Sequence, residues 1–350
     1  MSSPEAEALN AALWAGKHTG DEVYIAGRGP QGGDFYLPYR ALRDRLATHG
    51  IALHTPDLLK GRPVACDLHI NARHTLPDWP AYAYLYEDPL VRPVNGDRAH
   101  LQRYRKVFTY NQELVDGARF IQLDIPNDLR VRSTAPWDER DLFCVMLTRN
   151  NALSRPNPRN LHHRRLRTLM HFEAHAPELF ALFGQGWDQP PVQPGVWGRA
   201  VKRLRKWRNR IAPARPPFAT WRGPVHAKGE VLARARFAIA YENVRSVPGY
   251  LTEKIFDCFV WGCVPVYLGT PGAIAHIPAD CYIDADAFAD EGALLDHLRH
   301  ISPQRHRQHQ EAISAFLASP AAQRHSNEHF VRVIADTLAA DLGRPLPART

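Results

Sequence analysis

Apolar positions along this 350-residue chain come in two alternating patterns, short continuous runs and stretches at helical spacing. That order is expected when parallel strands are joined by helices. Residues 237–270 show it best. Phe237 to Tyr241 is a short apolar run of the buried-strand type, ended by Glu242 and Asn243. A loop with Pro248 and Gly249 follows. Thr252 then stands at a helix-capping position, and Glu253 in the first turn suits the helix dipole. Ile255, Phe256, Phe259 and Val260 recur every three or four residues, so a helix is predicted over 253–261, stopped by Gly262. Val264 to Leu268 is the next strand. In a parallel sheet this strand–loop–helix–strand unit is a right-handed crossover. Its first loop lies beyond the carboxyl end of a strand, where open α/β sheets bind ligands. The residues gathered there, Glu242, Asn243, Tyr250, Glu253 and Lys254, suit a ribose, a base and a phosphate.

The same reading extends to the rest of the chain. Residues 4–16 are rich in alanine and predict a helix; Glu22 to Gly27 predicts the first strand. Tyr39 to His49 is amphipathic and ends at Gly50. Strands are predicted at Ile51 to His54, Asp67 to Asn71, Ala81 to Tyr86, Val107 to Tyr110 and Phe120 to Leu123. Leu142 to Leu147 predicts the first strand of a second domain, followed by a helix over 160–175 and a strand at Leu179 to Phe183. Cys281 to Asp284 predicts a last strand, and Leu294 to Ile301, Pro303 to Leu317 and Ala321 to Leu342 predict helices. The fold class is α/β, with an N-terminal domain over 1–138, a C-terminal domain over 139–342 and a tail over 343–350. The loop Gly27–Gly32 matches G-x-G-x-x-G, but Pro30 interrupts it and the helix starts only near Tyr36. A glycine-rich loop of a sugar-binding domain fits better than a dinucleotide fingerprint.

Composition narrows the classes. Five scattered cysteines without C-x-x-C spacing imply a reducing compartment and no zinc site. No 18-residue apolar run and no leader pattern is present, so a cytoplasmic protein is expected. The chain carries 44 Lys and Arg against 36 Asp and Glu. Much of that excess sits in a Pro-bounded insertion over 190–217. There Trp197, Val201, Leu204, Trp207 and Ile211 line one helical face, and Arg199, Lys202, Arg203, Arg205, Lys206, Arg208 and Arg210 the other. Residues 197–211 suit an anionic membrane surface; a helix docked on the protein's own surface is the other reading. Nucleic acid is not expected, because no zinc-finger, RRM or helix-turn-helix pattern accompanies the charge.

Phe237-x-x-x-Tyr241-Glu242-Asn243, then Gly249-Tyr250-x-Thr252-Glu253-Lys254, then Gly262-x-Val264-Pro265-Val266-x-x-Gly269, resembles the signature of the α1,3-fucosyltransferase family, glycosyltransferase family 10. The resemblance is strong over 237–270, moderate over 81–125 and weak through the basic segment. It implies a GT-B arrangement, two Rossmann-like domains facing a central cleft with C-terminal helices, and inverting transfer of fucose from GDP-fucose to a hydroxyl of a glycan. Another nucleotide-sugar donor stays open. By the resemblance Tyr250, Glu253 and Lys254 fall on donor-binding positions, with Tyr250 and Glu253 on the ribose or base and Glu242 and Asn243 shaping the loop. An arginine of the 160–175 helix is implied at the donor pyrophosphate. Arg165 matches best, and Arg164 and Arg167 remain open. Tyr84-Leu-Tyr-Glu87-Asp88-Pro89, with Asn95 on the acceptor side, resembles the block holding the family's proposed general base. Inversion needs a group to take the acceptor proton, and Glu87 is the candidate, with Asp88 its rival.

Arg165 and Lys254 are expected to neutralise the departing diphosphate, so no divalent metal is expected to be essential. Asp284-Ala-Asp286 is a D-x-D, but the triplet is common by chance. The implied partners are a nucleotide-sugar and an oligosaccharide or lipid-linked glycan. The implied location is that of a bacterial-type cytoplasmic enzyme, peripheral on the inner face of the membrane. Two other classes remain, a non-catalytic sugar- or lipid-binding protein on the same fold and a basic membrane or nucleic-acid adaptor.

Overall fold

The computed structural model describes residues 8–27, 35–151, 157–191 and 217–344. The glycine-rich loop after Gly27 and the basic stretch 197–211 lie outside them. The chain forms two compact units. One comprises Met1–Asp128, Val247–Tyr250 and Gln323–Thr350, the other Leu129–Ser246 and Leu251–Ala322.

The first unit is built on a six-stranded sheet of β1 (Leu9–Trp14), β2 (Ile51–His54), β3 (Cys66–Ile70), β4 (Ala81–Leu85), β5 (Lys106–Thr109) and β6 (Phe120–Gln122). Its order is β2-β1-β3-β4-β5-β6, with every pair parallel. Alternation along the strands gives the sheet two different faces. Ala11, Leu13, Leu68, Tyr82, Tyr84 and Phe108 point to one, packed under α1 (Leu37–Ala47) and the C-terminal helix Asn327–Asp341. Ala83, Leu85, Val107 and Phe120 point to the other, under the single-turn α2 (Arg98–Leu101) and Tyr104.

The second unit has a five-stranded parallel sheet, β11-β10-β9-β7-β8, made of β7 (Leu142–Leu147), β8 (Phe180–Phe183), β9 (Ala235–Tyr241), β10 (Val264–Leu268) and β11 (Ile283–Asp284). Met146, Phe237, Ile239 and Val266 pack under α3 (His162–His175) and the helix Glu291–His300, through Leu169, Phe172, Leu294 and Leu298. Val145, Ala238 and Ala240 face the opposite way, toward Val231 of α4 (Lys228–Leu232) and Cys258 of α5 (Glu253–Val260). Phe256 and Phe259 join Ile313 and Phe316 of the helix Pro303–Leu317. Arg140 is fully buried and donates to the carbonyls of Ala135, Leu232, Ala235 and Trp261 at 2.7–3.1 Å, tying the entry strand to the sheet centre.

Four sequence expectations change. Residues 4–16 were expected to be helical; Leu9–Trp14 is instead a strand flanked by β2 and β3. Alanine's helical preference yields to burial, since Ala11, Ala12 and Leu13 are all covered. Glu22 to Gly27 is not a strand; Glu22–Tyr24 is a 3₁₀ turn entered from Asp21 at φ 57°. The predicted helix over 321–342 is two pieces, Pro320–Gln323 and Asn327–Asp341, the second capped by Ser326, whose side chain accepts from His329 N. Last, the units part at 128/129 rather than 138/139, and the final helix belongs to the first. Leu129 packs with the Phe256 cluster, while Phe330, Ile334 and Leu338 complete the first unit's core.

Phe330 meets Tyr84 edge-on at 4.9 Å and Tyr39 at 5.5 Å between ring centroids. Phe330→Ala should cost about 3–5 kcal/mol, read as a lowered urea midpoint. A change under about 1 kcal/mol would show that the helix is not part of that core.

Candidate functional site

The second unit's chemistry collects at the carboxyl ends of β7, β9 and β10. Glu242, the residue after β9, is completely buried, and its N–H donates to Leu268 O at 2.8 Å, keeping it in sheet register. Its carboxylate accepts Thr252 N–H at 2.8 Å, the Thr252 hydroxyl at 2.8 Å and Lys254 Nζ at 3.0 Å. Lys254 Nζ also donates to Thr252 Oγ1 at 2.9 Å. An ammonium has three donors, and these bonds occupy two of them. Thr252 does stand at the helix N-cap, but its side chain does not close the first turn. It serves Glu242 instead, so one carboxylate joins the strand end to the start of α5.

Arg165 reaches the same strand end from α3. It donates to Thr148 Oγ1 at 3.0 Å, to the carbonyls of Tyr241 and Glu242 at 2.7 and 3.1 Å, and to Asn243 Oδ1 at 3.3 Å. Arg164 and Arg167 each approach Glu291 at 3.1 Å instead. Of the three candidate arginines, Arg165 is therefore the one beside Glu242 and Asn243. The backbone reinforces the contact. Leu161 N donates to Asn243 O at 3.0 Å and Arg245 N to Arg159 O at 2.7 Å, which holds the amino end of α3 beside the loop after β9. His162 in that first turn is driven down to about 4 by burial and by the positive charges of Arg165 and Lys254.

Glu253 follows Thr252 on α5, 3.7 Å from Lys228 Nζ, which also bonds Asp257 at 2.6 Å. Burial favours its protonation, but Lys254, Lys228 and the helix-start N–H outweigh that and hold it at about 2. Tyr250 is buried against Tyr110, with ring centroids 5.4 Å apart, and groups with the first unit. Gly249 before it has φ +89°, and a Cβ there would stand 2.3 Å from Tyr110 O, so only glycine fits. The D-x-D residues are engaged locally: Asp284 accepts from Asp286 N, and Asp286 pairs with Arg245. Among the described residues no cluster of His, Cys, Asp or Glu with metal-binding geometry occurs. No helix of the described residues is long and apolar enough to cross a membrane.

In the first unit, Glu87 is half-buried just past β4. Asn71, at φ 66°, accepts the N–H groups of Tyr86 and Glu87 at 2.9 and 2.7 Å. Asn95 is buried, donating to Asn71 Oδ1 and Glu87 O and accepting from Ala72 N at 2.7–3.0 Å. Its amide is thus engaged in holding the Glu87 loop. Asp88 is fully buried and accepts from Leu90 N at 2.8 Å, which fixes the turn. Sequence reasoning passed over Asn71, Thr148 and the carboxylate-binding use of Thr252. An asparagine directly after a strand was the one available sign, since asparagine tolerates left-handed backbone.

Residues 208–312 match the model of the glycosyltransferase family 10 (fucosyltransferase) C-terminal domain. The chain is 26% identical over 77 residues to the α-(1,3)-fucosyltransferase FucT of Helicobacter pylori, covering 22% of this chain and 16% of that protein. It is 37% identical over 79 residues to α-(1,3)-fucosyltransferase 7 of Mus musculus, covering 22% and 20%. The matches thus span a fifth or less of these relatives' length. The crystal structure of Anabaena HepE in complex with UDP and glucose superposes with a TM-score of 0.53 at 14% identity, covering 95% of this chain and all of that one. The fold is that of the GT-B glycosyltransferases.

Two outcomes follow from the strand-end cluster. Glu242→Gln leaves Lys254 beside a neutral amide and should cost about 3 kcal/mol, whereas Glu242→Gln with Lys254→Met should cost less than the single change; urea midpoints decide. Because the folded-state His162 is held near 4 from an ordinary 6.5, the unfolded chain binds its proton first as pH falls. Stability should drop between about pH 6.5 and 4, and the drop should be shallower in His162→Gln.

Proposed function

From the premise that residues 208–312 match a family 10 fucosyltransferase C-terminal domain, we propose that the protein is an inverting glycosyltransferase moving fucose from GDP-fucose to a hydroxyl of a glycan. One observation carries the reading: within the matched residues, Glu242 fixes Lys254 at a strand's carboxyl end where Arg165 and His162 also converge. In this reading the acceptor oxygen attacks the anomeric carbon as its bond to the diphosphate oxygen breaks. GDP leaves with the electron pair, and Lys254 and Arg165 offset its growing charge without a divalent metal. Glu253 and Tyr250 hold the ribose or base, and Asn243 shapes the loop. The proton goes to Glu87. Its half-buried place beside a turn fixed by Asp88 supports that choice, because Asp88 is occupied in the turn itself. The acceptor is an oligosaccharide or lipid-linked glycan, and 197–211 would hold the protein to an anionic inner membrane face.

GDP should raise the melting temperature with or without EDTA, UDP should not, and Lys254→Ala should abolish the shift. With GDP-fucose and a glycan panel, Glu87→Gln should keep the GDP shift and lose about 10²–10⁴ in kcat. Stabilisation by UDP alone would move the donor to a UDP-sugar. No response to either nucleotide, or full activity in Glu87→Gln, would overturn the mechanism.

A further inference from the structure

In the first unit β3 and β4 are parallel neighbours, yet residues 71–80 between them contain no helix. Such crossovers usually carry a helix that covers the sheet. The sheet face here bears a built aromatic cluster instead. Asp67, on β3 and nearly fully buried, accepts the indole N–H of Trp14 at 2.7 Å and that of Trp79 at 2.9 Å. His69 Nε2 lies 3.3 Å from the same carboxylate, and its Nδ1 lies 3.0 Å from Tyr104 OH. Tyr104 OH in turn accepts Arg73 N–H at 2.8 Å. The Arg73 guanidinium sits 3.8 Å over the Trp14 ring. Trp79 is 44% exposed, although its only polar atom is already bonded inward. Its outward surface is therefore ring, held in one orientation.

We infer that Trp79, steadied by the Asp67 carboxylate that also holds the Arg73-stacked Trp14, is a carbohydrate-binding platform. A pyranose presents a face of C–H groups to an aromatic ring and a rim of hydroxyls to polar side chains, and here the exposed Asp78 precedes the ring directly in sequence. Fixing both indoles before the ligand arrives removes ordering cost from binding. A membrane surface would need a broader apolar area than one tryptophan among His74, Thr75 and Asp78, all exposed. A nucleic-acid strand would meet Asp78. The inference rests on the reading above only in that the protein handles glycans, and it assigns a subsite within the first unit for that class of ligand.

The test is fluorine NMR of the full chain labelled with 5-fluorotryptophan, whose eight tryptophans include Trp79 as the resonance missing in Trp79→Phe. N-acetyllactosamine, lactose, chitobiose and cellobiose are titrated without donor. At least one should move the Trp79 signal. Trp79→Ala should weaken that sugar about ten-fold, with Trp79→Phe between it and the wild type and Asp67→Asn weaker with the ring still present. An unchanged melting temperature and GDP shift in Trp79→Ala would show that fold and donor site are intact, so the two readings fail separately. A Trp79 signal that no sugar moves, or wild-type sugar affinity in Trp79→Ala, overturns the inference.

Discussion

A carboxylate with no water around it must be answered by hydrogen bonds and charge from within the protein. Glu242 is answered by two groups of one threonine and by one lysine, ten and twelve residues further on. Because Glu242 is also in sheet register with Leu268, the Lys254 ammonium at the start of α5 is tied to the end of the central sheet of the second unit. The intervening residues 243–251 are pinned at both ends, and Arg165 stitches their start to α3. The Lys254 ammonium is thereby set in place in advance, through a buried ion pair whose net contribution to stability is small.

Much of this was legible in the chain. The strand over 237–241, the helix at Glu253 and the strand over 264–268 follow from apolar spacing and a helix stop, and they stand where the pattern put them. What could not be read was which partner each polar residue would take. Thr252 looks the same in sequence whether it caps a helix or bonds a carboxylate, and Asn95 looks the same whether it faces a ligand or braces a loop. The choice depends on what lies close in space, ten to twenty-four residues away. The alanines of β1 misled for a related reason. Their local preference is helical, and only the neighbouring strands on both sides make extended backbone the better use of them.

The two sheets also differ in how they are covered. The second has helices on both faces, and its buried arginine ties carbonyls from three segments. The first is well covered on the face under α1; on the other, among the described residues, the cover is a single-turn helix, short turns carrying Val94 and Leu114, and the Asp67 cluster. That asymmetry places hydrogen-bonded tryptophans where an α/β domain ordinarily places leucines.

The C-terminal helix also constrains the order in which the protein can be made. Synthesis runs at roughly 5–20 residues per second, so the apolar face formed by Tyr39, Leu42 and Tyr84 waits on the order of ten to forty seconds between the emergence of residue 128 and that of Phe330 and Leu338. During that interval the second unit, which ends at Ala322, is completely synthesised. Vectorial folding from the amino terminus is thus inverted here: the domain begun first is finished last, and its unfinished face is the surface a ribosome-associated chaperone would meet.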